Sequence, residues 1–237
     1  MSLSKQQFLS VADHTLLAPG TTREELVEFL GAARDLGVRR VCISPSLLPL
    51  DAADRGSLEA VTVVGFPSGA HRSEVKAAEA AQAVADGADE IDMVLNRGLV
   101  REAAATGEWA AVEGEIHAVR AACPELVLKV IIESAALTDA EIVGACRAAE
   151  AAGADFVKTS TGFDPAGGAS LHAVRLMTET VGGRLGVKAS GGIRTAAAVR
   201  ELWAAGATRF GVSGTAAILE AWDGEADPDR TAPPAGY

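Results

Sequence analysis

Lysine is used selectively in this chain of 237 residues. Of its 21 Lys and Arg residues only five are lysines, so arginine supplies most of the positive charge. Three of the five, Lys129, Lys158 and Lys188, lie in apolar runs that read as strands. Arginine stays protonated in proteins, whereas the surroundings of a lysine can make its amine neutral and nucleophilic. The pattern therefore predicts that the core needs an amine.

The chemistry that needs a neutral amine is the formation of a Schiff base with a carbonyl group. Lowering the pKa of a lysine by roughly 3 units from its ordinary value of about 10.4 requires about 4 kcal/mol. Burial and a second cation nearby can together provide this. Lys158 in "ADFVKTST" and Lys188 in "LGVKASGG" lie near the ends of consecutive predicted strands, so we expect them to be neighbours. The alternative is that each reaches out to solvent or pairs with a carboxylate.

An acidic residue, Asp92 in "ADEIDMVLN", lies between two apolar residues of another predicted strand. A buried aspartate is costly unless it is paired. Imine chemistry needs general acid–base catalysis, and Asp92 with Lys188 is the predicted pair. Lys129 is interpreted as structural, with a salt bridge to Asp92 as the other use of that aspartate. Asp89 and Glu90 are interpreted as surface charges at the start of the strand.

Two Ser-Gly turns predict an anion site. "ASGGIRT" (189–195) and "GVSGTAA" (211–217) follow the last two predicted strands. Glycines let backbone N–H groups approach an anion closely, and the loops after the last two strands of a barrel often bind phosphate. Arg194 either assists there or faces solvent, and the alternative for both segments is a plain turn.

The elements that must position these residues alternate regularly along the chain. Eight short β-rich runs are separated by Ala-rich stretches of helical periodicity, which predicts a parallel sheet. Strand number and length favour a single-domain (β/α)8 TIM barrel over residues 1–219. A doubly wound open sheet is the alternative, but no G-x-G-x-x-G follows an early strand. Residues 220–237 are expected to form an acidic, Pro- and Gly-rich tail. The predicted strands are 13–17, 39–44, 60–66, 90–96, 126–132, 155–161, 185–190 and 208–213.

The predicted helices carry start and stop signals. Thr22 with Glu25, and Thr138 with Glu141, have the spacing of capping boxes. A glycine in the left-handed conformation commonly ends a helix. Four glycines lie just before predicted strands and are expected to do so: Gly37, Gly87, Gly153 and Gly206.

Composition and charge narrow the class of protein. The net charge of -11 and pI near 4.8, without a basic stripe, argue against nucleic-acid or anionic-membrane binding. No apolar run is long enough to span a bilayer, and residues 1–10 lack the features of a signal peptide. The three cysteines lack metal-ligand spacing. Their odd number favours a reducing cytoplasm.

Six segments together resemble the deoxyribose-phosphate aldolases, a family of class I aldolases with a barrel fold. They are "DHTLL", "VGFPSG", "GADEIDMVLN", "LKVIIE", "FVKTSTGF" and "GVKASGGIRT". The resemblance covers residues 12–219 with the motifs in order. It implies reversible cleavage of 2-deoxy-D-ribose 5-phosphate to D-glyceraldehyde 3-phosphate and acetaldehyde, in deoxyribonucleoside catabolism. It also implies a homo-oligomer, a dimer or tetramer, and no metal or organic cofactor.

The resemblance also assigns roles to individual residues. The Schiff-base lysine of the family falls on Lys158, and its proton-relay lysine and aspartate fall on Lys188 and Asp92. The phosphosugar-binding positions that it implies are Gly162, Ser190, Gly191, Gly192, Ser213 and Gly214.

Four positions depart from the family pattern or stay open. "VSGTAA" replaces an expected pair of serines, so one hydroxyl contact to phosphate is missing or comes from Thr215. His71 replaces an asparagine and is interpreted as a loop residue. Cys42 either reacts with aldehydes or, as we prefer, is a small buried apolar residue. Tyr237 either folds back to help remove a proton from the imine, as in some members, or belongs to the tail.

Two other functions fit the same motifs. The first keeps the barrel and the Schiff base but takes another phosphosugar or a keto acid, as in transaldolase-like barrels. The second is a barrel that binds a phosphorylated metabolite without turnover, which the presence of Lys158, Lys188 and Asp92 argues against.

Overall fold

The computed structural model describes residues 3–222 and contains a closed barrel of eight parallel strands. Each strand pairs with the next one in the chain, and β8 pairs with β1 to close the barrel. The predicted (β/α)8 fold is confirmed, and the open-sheet alternative is wrong. The strands are β1 Ala12–Leu16, β2 Arg40–Ile43, β3 Glu59–Val64, β4 Glu90–Val94, β5 Val127–Ile131, β6 Phe156–Lys158, β7 Gly186–Ser190 and β8 Arg209–Val212.

Helices cover the outside of the barrel and connect its strands. They are α1 Lys5–Val11, α2 Arg23–Leu36, α3 Ala52–Arg55, α4 Ser73–Ala85, α5 Arg97–Thr106, α6 Ala110–Ala122, α7 Asp139–Ala151, α8 Leu171–Val181, α9 Ala196–Ala204 and α10 Thr215–Glu220. Short 3-10 turns follow β2 at Pro45–Leu47 and β5 at Ser134–Ala136. Between residues 3 and 222, none of the helices is long and apolar enough to cross a membrane.

The predicted helix boundaries are confirmed. Thr22 and Thr138 cap α2 and α7 through complete capping boxes with Glu25 and Glu141. Gly37 ends α2 with φ 73°, a conformation that costs a residue with a Cβ more than it costs glycine. The other three predicted glycines also have positive φ. These helix ends are therefore specified by local sequence.

The apolar core lies between the outer face of the strands and the inner faces of the helices. It extends to Trp222, which stacks on Phe8 of α1 at a centroid distance of 5.0 Å. Residues 220–222 thus belong to the packed structure. The rest of the predicted tail, including Tyr237, lies outside the described residues.

The interior of the barrel is charged. Successive residues of a strand point to opposite faces, so residues two apart share the interior. Such barrels are usually filled by layers of branched aliphatic side chains. Here the interior instead holds a network of buried ionic side chains: Asp13, Arg40, Glu90, Asp92, Lys129, Lys158, Lys188 and Arg209. Buried charges are tolerated when they are paired and hydrogen-bonded, and this network forms the site.

Candidate active site

Lys158 and Lys188 are neighbours, as predicted. They occupy the same register position on the paired strands β6 and β7. Both ammonium groups lie 2.8 Å from Oδ2 of Asp92 on β4. The exposed fractions of the three residues are 3%, 0% and 0%, so the cluster is buried. The structure therefore brings together the three residues that the sequence proposed as catalytic.

Lys129 of β5 completes the surroundings of Asp92. Its Nζ lies 2.8 Å from Oδ1 of Asp92, which confirms the predicted salt bridge, and 2.5 Å from Oε2 of Glu90. Both carboxylate oxygens of Asp92 are thus occupied by ammonium groups. Those ammonium groups hold the pKa of Asp92 well below its usual range, despite burial, so it is a carboxylate at neutral pH.

Glu90 is buried, so its interpretation as a surface charge was wrong. It is 5% exposed and contacts Arg40 at 3.1 Å and Arg209 at 3.0 Å. The strand alternation could have shown this, because Glu90 is two residues before Asp92 and must share its face. Asp89 points the other way and pairs with Arg55 at 2.5 Å.

Asp13 of β1 is a site residue that the sequence reading missed. Its carboxylate accepts a short hydrogen bond from Nζ of Lys188 and a second, at 2.8 Å, from Nη1 of Arg209. The signal was present, because an aspartate inside a predicted strand, here "DHTLL", is as unusual as Asp92 in its own strand. Gly211 of β8 leaves room for this arrangement, since a Cβ there would lie 3.3 Å from Cε of Lys188.

The three lysines of the cluster differ in how many carboxylates neutralise their positive charge. Lys129 contacts the carboxylates of Glu90 and Asp92, and Lys188 contacts those of Asp13 and Asp92. Among residues 3–222, the carboxylate that Lys158 contacts is that of Asp92. When several ammonium groups share too few anions in a buried site, the least compensated one is the easiest to deprotonate.

The pKa shifts follow this difference. Burial lowers the pKa of Lys158, and the charge of Lys188 lowers it further, while Asp92 opposes both. Burial also acts against the charge of Lys188, but Asp13 and Asp92 outweigh it and raise the pKa of that lysine. Lys188 therefore stays protonated, and Lys158 is the lysine that loses its proton more easily.

A pocket of about 270 Å³ opens beside this cluster, at the carboxyl ends of β6, β7 and β8. Gly191 and Gly192 line it with φ of 84° and 76°, so their backbone is in the left-handed region that favours glycine. The wall of the pocket also includes Gly162, Gly168, Arg194 and Ser213.

Two predicted binding residues are placed next to this pocket. The hydroxyl of Ser190 donates to the carbonyl of Ser160 at 2.5 Å, which ties the ends of β6 and β7 together. Gly214 is exposed and immediately precedes α10. The predicted sets thus converge on one rim of the barrel, with the lysines below and the glycine turns above.

Comparison with known proteins identifies the family. A family model described as DeoC/LacD family aldolase matches residues 10–224. The chain belongs to the DeoC/LacD aldolase family. It is therefore an aldolase, a lyase, and the resemblance read from its sequence is confirmed.

Relatives of this aldolase cover it almost completely. It is 58% identical to the deoxyribose-phosphate aldolase of Kocuria rhizophila over 93% of this chain and 99% of the relative. It is 62% identical to that of Nocardia farcinica over 88% of this chain and 91% of the relative. Among solved structures, the tetrameric deoxyribose phosphate aldolase from Aeropyrum pernix superposes with a TM-score of 0.81 at 31% identity, covering 93% of each chain.

The apolar side of the aldolase site contains Cys42, which is 1% exposed. Burial raises the pKa of its thiol to about 11, so the thiolate is scarce at neutral pH. Together with Leu17, Val61 and Val63 it forms a small buried cluster, hereafter the mouth cluster. The aldolase thus has one charged wall and one apolar wall around Lys158.

Thr215 does not replace the missing serine hydroxyl of the aldolase motif. Its side chain is fully buried, and Oγ1 lies 2.8 Å from Nδ1 of His14. His14 stacks on Phe29 of α2, and burial lowers its pKa to about 4, so the ring is neutral. His71 is exposed in a loop, as expected.

Within residues 3–222, no group of three or more His, Cys, Asp or Glu side chains has a geometry suited to a metal ion.

Proposed function

We propose that this aldolase reversibly cleaves 2-deoxy-D-ribose 5-phosphate to D-glyceraldehyde 3-phosphate and acetaldehyde through a Schiff base on Lys158. One observation carries the proposal: within the described part of the chain, Lys158 contacts one carboxylate, whereas Lys129 and Lys188 contact two each. A neutral amine is needed to attack a carbonyl carbon. The substrate is inferred from the names of the relatives.

The proposed reaction begins with attack of the Lys158 amine on the C1 aldehyde of the open-chain sugar. The carbinolamine takes up a proton and loses water to give a protonated imine. Removal of the C3 hydroxyl proton breaks the C2–C3 bond, and its electron pair moves into the imine to form an enamine. D-glyceraldehyde 3-phosphate leaves. Protonation of the enamine carbon and hydrolysis then release acetaldehyde and the free amine.

Each of these steps moves a proton near Lys158, and the proposed relay is Asp92 with Lys188. Oδ2 of Asp92 accepts from both ammonium groups at 2.8 Å, so a proton can pass between the two amines across a single oxygen. Asp13 holds Lys188 from the other side. Lys188 can therefore give up a proton to the reacting atoms and regain one without leaving its position.

The phosphate of the substrate is proposed to bind at the glycine turns above the lysines. Backbone N–H groups at glycine-rich turns are suited to an anion. Gly191, Gly192 and Ser213 line the same pocket, and Arg194 adds a guanidinium to its wall. Asp164 also lines this pocket, and its carboxylate pairs with Arg97 at 2.8 Å. An acidic protein with a net charge of -11 would thus recognise a phosphosugar through local amides and Arg194.

The test is product formation from 2-deoxy-D-ribose 5-phosphate, measured by oxidation of the released D-glyceraldehyde 3-phosphate with a coupled NAD-dependent dehydrogenase. Lys158→Arg keeps a cation but cannot form the imine, so we expect it to fold and to lose turnover. Cleavage of another phosphosugar or a keto acid, but not of this substrate, would favour the transaldolase-like alternative. Binding of the phosphosugar without any product would favour the binding barrel.

We further propose a homo-oligomer that acts in deoxyribonucleoside catabolism in the cytoplasm. The relative from Aeropyrum pernix is described as a tetramer, which supports self-association. Cys42, Cys123 and Cys146 are buried free thiols, which is typical of a reducing compartment. Light scattering after size-exclusion chromatography measures the subunit number, and a monomer at micromolar concentration would refute the first part.

A further inference from the structure

Glu133 is a buried carboxylate at the barrel mouth to which the reaction above gives no task. It lies two residues after β5, and its side chain and backbone together are 2% exposed. Its φ of 59° is the one positive value among the non-glycine residues that the structure describes. Such a conformation costs free energy and persists where the surroundings enforce it, often at functional sites.

The backbone on both sides of Glu133 is bonded to β6 and the residue after it: the Ile132 N–H donates to the carbonyl of Lys158 at 3.0 Å, and the Ser134 N–H to that of Thr159 at 2.7 Å. The side chain of Glu133 is held by Thr161, in the loop after β6. The Thr161 hydroxyl donates to Oε2 of Glu133 at 2.6 Å, and the Thr161 N–H donates to both carboxylate oxygens at 3.2 and 3.3 Å. The same hydroxyl accepts from the N–H of Phe163 at 3.1 Å. Glu133 thus fixes the direction in which the chain leaves Lys158.

That direction places Phe163 over the mouth cluster. Gly162 turns the chain with φ 87°, and the Phe163 ring meets Phe66 edge-on, with centroids 5.2 Å apart and planes at 86°. Both rings pack against the mouth cluster. Cys42 of that cluster is close enough to Lys158 for the ionisation of its thiol to affect the pKa of Lys158. The two rings therefore cover the apolar wall beside the reactive amine.

We propose that Glu133 is a positioning residue that seats Phe163 on Phe66 through Thr161 and so keeps water away from the amine of Lys158. The inference rests on the proposed function, because it needs Lys158 to be the Schiff-base lysine. Its physical support is that burial is the largest cause of the lowered pKa of Lys158. A looser cover would hydrate the ammonium form and stabilise it.

The test variant is Glu133→Gln, which keeps the volume but offers one acceptor oxygen to the two donors of Thr161. The readout is the rate at which borohydride traps acetaldehyde on Lys158, followed by peptide mass spectrometry across pH. We expect the pH at which the trapping rate is half its maximum, hereafter the midpoint, to rise by about one pH unit. At a fixed pH below the midpoint, trapping should be about tenfold slower. The other titratable groups that face Lys158 are those of Asp92, Lys188 and Cys42, and the substitution leaves them in place.

The sign of the shift separates positioning from simple charge removal. Glu133 also carries a negative charge, and deleting a negative charge near an amine favours its neutral form. An electrostatic role alone would therefore lower the midpoint, whereas loss of the cover raises it. The charged groups that face Glu133 itself are Asp164 and Arg97, which form an ion pair at 2.8 Å with each other.

A matched control exists at Glu141, whose carboxylate accepts from the N–H and hydroxyl of Thr138 at 2.7 and 3.0 Å. Glu141→Gln removes the same kind of contact at the start of α7, and we expect an unchanged midpoint. Thr161→Val should shift the midpoint as Glu133→Gln does, and the double variant should shift it no further. Thr161→Ser keeps the hydroxyl and should therefore have the same midpoint as the wild type.

Three outcomes would overturn the inference: an unchanged midpoint in Glu133→Gln, a lowered one, or additive shifts in the double variant. If Glu133→Gln does not fold, as judged by circular dichroism, Thr161→Val carries the same test. If wild-type protein is not trapped on Lys158, the proposed function fails and this inference fails with it. If the wild-type protein is trapped on Lys158 and the variant shows the same pH dependence of trapping, the positioning role of Glu133 is rejected and the proposed function stands.

Discussion

Replacing Lys188 by methionine removes the cation that shares Asp92 with Lys158. Both ammonium nitrogens lie 2.8 Å from the same carboxylate oxygen. The two nitrogens are therefore roughly 5 Å apart, and at an effective dielectric constant of about 20 their repulsion is about 3 kcal/mol. Because both side chains are buried, solvent screening reduces this little. The substitution also removes a cation that neutralises Asp13 and Asp92. Their negative charge then stabilises the ammonium form of Lys158 more strongly, which raises its pKa further.

The expected consequence is a higher pKa of Lys158 and less neutral amine at neutral pH. A repulsion of about 3 kcal/mol corresponds to a change on the order of a hundredfold in the neutral fraction. Imine formation with acetaldehyde at pH 7 should slow by that order and recover as the pH is raised. Stopped mixing followed by borohydride quenching and intact-protein mass spectrometry measures this rate.

Lys188→Arg is the matched control, because arginine keeps the positive charge but cannot give up a proton at neutral pH. It should retain much of the imine formation of the wild type while losing turnover of the phosphosugar. Circular dichroism shows whether either variant is folded. Equal rates and equal pH midpoints for Lys188→Met and the wild type would refute the argument that one buried lysine keeps the other neutral.

Three further outcomes follow from the geometry. Asp13→Asn removes a carboxylate shared by two buried cations, and the free energy of unfolding in urea should fall by about 3 kcal/mol. Gly191→Ala would place a Cβ 3.0 Å from Cα of Gly168, so KM for the phosphosugar should rise while trapping of acetaldehyde is unaffected. His14 has a pKa lowered from 6.5 to about 4, so the unfolded state binds more protons between these values. Stability should therefore fall as pH drops through that range, by about 3 kcal/mol in total, and less in His14→Phe.

The barrel and the lysine pair were predictable because both rest on local patterns. The strand alternation around Lys158 and Lys188 is visible in short windows, and consecutive strands of a parallel barrel are neighbours. The aspartate in "DHTLL" is a local signal, but it does not reveal the role of Asp13, because the partners Lys188 and Arg209 come from the far end of the chain, 175 and 196 residues away. Only closure of β8 onto β1 brings them together, and no local pattern records it.

Other details depend on side-chain direction, which the sequence patterns do not determine. Thr215 stands beside the phosphate turn in sequence, yet its hydroxyl faces His14 behind the barrel wall. Glu133 reads as the ordinary polar end of "LKVIIE", and its positive φ and its bonds to Thr161 appear only in three dimensions. Glu90 is a different case, because applying the strand alternation to it would have placed it inside.

The most direct test of the central claim is to reduce the wild-type protein with borohydride in the presence of acetaldehyde and to map the modified peptide. The account predicts one ethyl group on Lys158, in the peptide that contains "DFVKTSTGF", and none on Lys129 or Lys188. An adduct on Lys188 instead, or no adduct on any buried lysine, would contradict it.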